Sequence, residues 1–582
     1  MIAPASFSLE IPRPVSSSVM PKLLACLILL VISLPLFAQD VAVEEKLSNE
    51  LPGVESCIPK AVSDLRAPSV FPFHNGLITA VTAATRLAQT QTLQGLNHLH
   101  GGWEFEASRH FAIAMKEDPR CLMAHWGMLL CILSPNPETD DCRFAVTERM
   151  LQLVNDGEGT ELERGYAYGI VKYIEEGPKG AASAFRKVAN KYPGELQAEI
   201  FAALFGRTGY DDNGEATPNQ ERAEKRLGKL IEADPNSAIP VHAMLLIRAE
   251  APDLRPTLAL ARKLCQIVPD YAPYFHTLGH YEWRCGEHSK AASAFGRAAT
   301  LYSIWMKENE VSPADCDGWV RAECYRSVAL ASKGEFDLAL RSAEKLANTT
   351  VDSQRPAAPG TRQLLWEGKT LPARVLLRRG LKGDSAKALA SLPSPEEMKP
   401  FLGKSLSYWW IDGLRIALEA QRLLDAGIPG KASEVINAMS YHGEAMSKKQ
   451  VVSSAIGERS EWNRAFRSLE VLAAELRGRL ALAGPPSGHG SAFNWFRAAT
   501  DRQVPSTMLA APPILTPMAI RLGDYFLTQN EPAKAVEAYL ESLAAFPNDV
   551  EALRRLEKSY TQTKQADKAA EVAAKIAELA PN

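Results

Sequence analysis

In LGDYFLTQNEPAKAVEAYLESLAAFPN, Leu522–Asn548, two apolar-periodic runs flank a short polar turn. Leu522 and Phe526 precede the turn, and Ala535, Tyr539 and Leu543 follow it, each four residues from the last. Spacings of three and four put side chains on one helix face, so the stretch predicts two helices joined near Asn530. The plan then recurs after 34 residues: Leu556, Tyr560, Ala569 and Pro581 repeat Leu522, Phe526, Ala535 and Pro547. Each recurring residue has a physical task. Gly523 lets the first helix approach the second, and Ala535 supplies another close contact. The aromatic fills the space between units, and the proline ends the second helix.

This pattern resembles the tetratricopeptide repeat, a helix–turn–helix unit of the same length. The same ruler finds earlier units. Gly95, Ala107, Phe111, Ala114 and Pro119 fall in register, as do Gly169, Ala181, Phe185 and Pro193. Pro235 and Pro269 stand one period apart, with Ala223 before the first. Leu278, Gly279, Gly286, Ala291, Phe295 and Ala298 follow in phase. Weaker units centre on Gly334/Ala339 and Gly427/Ala432. No strand-like alternation of useful length is present. The expected fold is all-α: tetratricopeptide-like helix–turn–helix repeats in a right-handed α-solenoid.

The repeats are expected over 90–350 and again as a C-terminal pair over 517–582, with a degenerate helical region over 361–482. Polar inserts at Gly206–Gln220 and Lys307–Gly318 lengthen two units, and Asp352–Gly360 reads as a loop. The stretch 483–516, rich in glycine and proline, reads as a linker, and 39–89 as an N-terminal segment.

The first 38 residues read differently. From Met20, Lys22 precedes an apolar run, Leu23–Phe37, that ends at the small residue Ala38. That is the order of a secretory signal, and the run is short for a bilayer span. The start is expected at Met20 and cleavage after Ala38, giving a periplasmic or secreted protein with no membrane span. Leu23–Cys26 mimics a lipoprotein cleavage site, but its apolar run lies after the cysteine, which excludes that reading. The chain has 582 residues, 46% apolar and 23% charged, with a formal net charge of −3. This balance suits a packed fold and offers no basic surplus for phosphates, so nucleic acid is not an expected partner. Of nine cysteines, eight follow the signal. None forms Cys-x-x-Cys, which excludes a zinc ribbon, a thioredoxin-type site and covalent haem. Pairing among them, or burial as free thiols, stays open.

One stretch is more specific than the repeat. Asp118, Pro119, Cys121, Met123, Ala124, Trp126 and Gly127 resemble a run in a group of exported bacterial tetratricopeptide proteins. That group also carries His-Met-Pro-Ser-His followed by glycine. Here His276, His280 and Gly286 match, while Thr277, Leu278 and Gly279 depart from it. The resemblance implies membership and no particular reaction.

Candidate site residues follow from the repeat register. His276, His280 and Trp283 run i, i+4, i+7 on one helix face, with Arg284 beside them. In tetratricopeptide domains the corresponding positions line the concave groove. His242 precedes His276 by one period and takes the equivalent place one unit earlier. The expectation is a groove patch of His242, His276, His280, Trp283 and Arg284, with Trp283 as a stacking platform and Arg284 meeting a carboxylate. Tyr166 and Tyr173 fall on the groove face of their own unit. His98 and His100, beside Gly101 and Gly102, read as a turn feature, and Trp126 and one of Trp409/Trp410 as core. No nucleotide-binding loop, nucleophile elbow, His-Glu-x-x-His or dinucleotide fingerprint occurs. The expected function is a non-catalytic scaffold binding a protein, a peptide or a small ligand in its groove, with no cofactor and no metal. The alternative is a metal-binding or redox-associated enzyme using the histidine cluster.

Overall fold

The computed structural model describes residues 53–580 apart from 74, 75 and 453–455. The expected signal segment, and Pro581 of the last repeat, lie outside these residues.

The glycine–aromatic spacing read from the sequence becomes a packing contact. A Cβ on Gly95 would lie 2.6 Å from Phe111, on Gly169 2.5 Å from Phe185, and on Gly279 2.7 Å from Phe295. Gly523 meets Tyr539 in the same way. The ring of the second helix thus occupies the volume that a side chain on the first would need. All four rings are fully buried. Each such glycine lies inside a helix that packs on its successor: Arg86–His100 on Glu104–Glu117, Ala272–Arg284 on His288–Asn309, and Met518–Thr528 on Pro532–Ala545. The pair around Gly169 spans Glu161–Lys191 and is broken where Gly177 takes φ +70° ahead of Pro178. Consecutive pairing continues through the degenerate region, with Ser407–Asp425 on Pro429–Val452 and Arg459–Ala483 on Gly490–Arg502. The fold is an all-α, tetratricopeptide-like solenoid.

The insert Gly206–Gln220 lies between the two helices of one pair, Leu196–Gly206 and Pro218–Ala233, and Lys307–Gly318 leads from His288–Asn309 to Asp317–Lys333. Gly206–Gln220 closes with a bridge between Tyr210 and Ala216, and Thr217 caps the next helix by accepting from Gln220 N. The eight cysteines among the described residues are all free.

The array curls so that distant pairs meet. Trp103 of the first pair packs on Trp305, ring centroids 4.9 Å apart, and Arg109 donates to Asn309 Oδ1 at 3.0 Å. Asn136 donates to the carbonyl of Ala357 at 3.1 Å. The C-terminal pair docks on the middle of the array. There Arg378 meets Asp549 at 2.5 and 2.6 Å, both side chains buried, and Asn548 donates to Gly286 O. The stretch 483–516 contains the helix Gly490–Arg502, and the run after it is held inside the fold. Ala511, Ile514 and Leu515 are buried, Arg374 donates to Pro512 O at 2.6 Å, and Arg464 donates to Ala511 O at 2.6 Å. A proline-rich segment needs such side-chain donors because it forms no ladder or helix to satisfy its carbonyls.

Candidate functional site

The curl encloses a cavity of about 1760 Å³ whose wall is drawn from pairs far apart in sequence. Trp103 and Glu104 come from the first pair, Tyr173 from Glu161–Lys191, His242 from Ala238–Arg248 and His276 from Ala272–Arg284. Arg321 comes from the helix Asp317–Lys333.

Most wall guanidinium groups are already neutralised. Arg355 reaches Asp315 at 2.6 Å and Glu138 at 2.8 Å, Arg362 meets Glu461 at 2.9 Å, and Arg321 pairs with Asp317. Besides Lys60, Asp64, Asp211 and Glu310, two wall charges form no ion pair with any described residue. One is Arg207, which donates to Leu204 O and whose pKa is lowered by burial. The other is Glu104, accessible from the cavity yet crowded by protein. Burial raises its pKa, the nearby Asp317 adds to this, and Arg321 opposes it.

The predicted site residues divide between wall and core. His242, His276 and Tyr173 line the cavity. His242 donates from Nδ1 to His100 O at 2.8 Å and packs on Tyr274, so it turns toward the first pair and away from the other two histidines. His276 donates from Nε2 to Met508 O at 2.8 Å, and His280 from Nε2 to Ala249 O at 3.1 Å. Both stand against the Tyr325 ring. Burial pulls their pKa down, to about 4 for His276 and about 3 for His280, which keeps both neutral.

The groove-wall placement of His280, Trp283 and Tyr166 is corrected. All three are buried. Trp283 packs against Tyr325 and Phe546 and donates to Ser332 Oγ at 3.1 Å. Tyr166 donates to Glu195 at 2.8 Å and packs against Trp126. Arg284 donates to Ala251 O at 2.9 Å and borders a smaller pocket near Pro547. The physical reason is self-coverage. Residues 507–510 lie across the helix face that would line an open groove, with Tyr325 donating to the carbonyls of Thr507 and Ala510. Phe546 of the C-terminal pair covers Trp283.

Among the described residues, one set of three metal-capable side chains comes together, and it is not the predicted cluster. It is His98, Glu106 and His110, all buried. Sequence reasoning placed His98 at a helix end, where it is, and took it for a turn feature. The readable signal was the i, i+4 spacing of Glu106 and His110 on the next helix. Contact with His98 depends on the helices' packing.

No protein-family model matches the chain, and no curated protein matches it. Solved structures similar to it include the human IFIT1 dimer with m7Gppp-AAAA, at 12% identity over 86% of this chain and 92% of that one, with a TM-score of 0.33. The APC/C hetero-tetramer Cut9–Hcn1 matches at 13% identity, 85% and 88% coverage and a TM-score of 0.28. Yeast Tom70 matches at 11%, 85% and 93%, with a TM-score of 0.25. The repeat assignment rests on this chain's own helix pairing and glycine–aromatic contacts. No described helix is long and apolar enough to cross a membrane.

Proposed function

We propose that this protein is a non-catalytic binding scaffold that takes a short peptide segment into the cavity. The supporting observation is the wall itself: a large space bearing Glu104 and Arg207 without ion-pair partners among the described residues, beside guanidinium groups already paired to carboxylates. Its volume exceeds the roughly 300–1,000 Å³ of ordinary small-ligand pockets. Paired arginines do not serve phosphates, which disfavours nucleic acid. A peptide offers a cation to Glu104 and a carboxylate to Arg207, each a charge-assisted contact.

Thermal-shift and calorimetric titration with matched basic, acidic and zwitterionic short peptides tests this. The zwitterionic set should bind best, and both Glu104→Gln and Arg207→Gln should weaken it by roughly tenfold or more. Bound peptide should be recovered intact by mass spectrometry. Indifference to all three sets would sink the peptide reading, and recovery of cleaved or modified peptide would sink the non-catalytic one.

A further inference from the structure

The first helix pair carries a cluster that the cavity does not use. His98 ends the helix Arg86–His100, and Glu106 and His110 lie on one face of Glu104–Glu117. One ligand atom from each lies within 4.8 Å of the others. His98 is 2% exposed, Glu106 5% and His110 0%.

Hydrogen bonds decide which imidazole nitrogens are available. His110 Nδ1 is 2.6 Å from Gln91 Oε1. An amide oxygen can only accept, so Nδ1 holds the proton and Nε2 holds the lone pair. His98 Nδ1 is 3.1 Å from the Tyr271 hydroxyl, which itself donates to His98 O at 3.4 Å. The same hydroxyl can accept from Nδ1 while it donates to His98 O, an arrangement that leaves the Nε2 lone pair free. Both Nε2 atoms are buried and have no hydrogen-bond partner. Buried acceptors in native proteins are nearly always satisfied. Two such nitrogens beside a buried carboxylate make a donor set for a cation. Glu106 accepts from Arg109 at 2.6 Å, but a carboxylate has further lone pairs to offer.

We propose that His98 Nε2, His110 Nε2 and a Glu106 carboxylate oxygen form a buried site for one divalent transition-metal ion of the imidazole-preferring kind, zinc first. Two imidazoles and a carboxylate suit such an ion. Tyr271 and Gln91 supply the second-shell hydrogen bonds that fix ring orientation in metal sites. The ligands lie on both helices of one pair, so the ion draws them inward and cross-links the start of the array. The site is independent of peptide binding in the cavity.

The test uses the full chain, stripped with a chelator and titrated with Zn²⁺ or Co²⁺ alone. About one equivalent per chain is expected, with X-ray absorption showing two imidazoles around the metal. His98→Gln and His110→Gln should each abolish the stoichiometric equivalent. Gln91→Ala keeps all three ligands and should weaken binding by roughly 10–100-fold. His489→Gln, at the turn before Gly490–Arg502, should leave it unchanged. Wild-type protein that takes up no stoichiometric metal overturns the site, as do fewer than two imidazoles in the absorption spectrum or undiminished affinity in Gln91→Ala. The spectrum is read on wild-type protein, so misfolded histidine variants cannot hide a negative answer.

Discussion

At the residue scale, glycine has opposite value at two helical positions. An added Cβ at Gly279 would strike the Phe295 ring at 2.7 Å. That ring has little freedom, because it stacks on Tyr325 with centroids 5.0 Å apart. Gly279→Ala should therefore destabilise the protein by about 1–3 kcal/mol through overpacking. Gly228 lies inside the helix Pro218–Ala233 with nothing within 4 Å of its missing Cβ. Gly228→Ala should stabilise by roughly 0.5–1 kcal/mol, since alanine loses less entropy in a helix. Denaturant titration of both variants reads the two signs. Gly279 was legible because its aromatic partner lies at a fixed interval in the repeat. His98 was not, since its partners come from other segments: His110 on the next helix and Tyr271 far along the chain.

At the scale of elements, the docked C-terminal pair hangs on a buried charge. Asp549 accepts from Ala552 N at 3.0 Å as an N-cap and pairs with Arg378. Asp549→Ala removes a cap worth about 1 kcal/mol. It also orphans a buried guanidinium, at a cost of about 3–5 kcal/mol. The expected result is faster amide exchange in Val550–Gln562 and Ala566–Leu579 than in the first pair. The double variant Arg378→Met/Asp549→Ala should recover much of the loss, because it leaves no unpaired buried charge. Equal exchange changes at both ends of the array would argue against local docking. Composition misdescribed the segment leading to this pair. Its glycines and prolines read as a linker, whereas Arg374, Arg464 and Tyr325 satisfy its carbonyls and hold it in the core. Those donors lie from 47 to 185 residues away, beyond the reach of any local pattern.

At the scale of the whole molecule, buried neutral histidines set the acid limit. Burial lowers the pKa of His125, His242, His276 and His288 to about 4, and of His280 to about 3. In the unfolded chain each titrates near about 6.5. Between those values the unfolded state binds more protons, so stability is complete above about pH 6.5 and falls as pH drops toward 4. Scanning calorimetry should show the unfolding midpoint falling by several degrees from about pH 7 to about pH 5. A flat profile would mean that these rings are protonated or solvated in the native state. Export is a separate proposal carried by the sequence from Met20 to Ala38. N-terminal sequencing of the native protein should begin at Gln39, and a start well upstream would refute the signal.

The helix-pair repeat was determined by the sequence itself, through the interval between small and aromatic residues and the apolar faces they share. These are short-range properties, because each unit packs mainly on its neighbours. The tertiary structure alone decided what covers the face that the repeats leave. Small rotations between successive pairs add up until the first, middle and last repeats meet. Their sum determines which histidines border the cavity, which are sealed beneath residues 507–510 and Phe546, and which two gather beside Glu106.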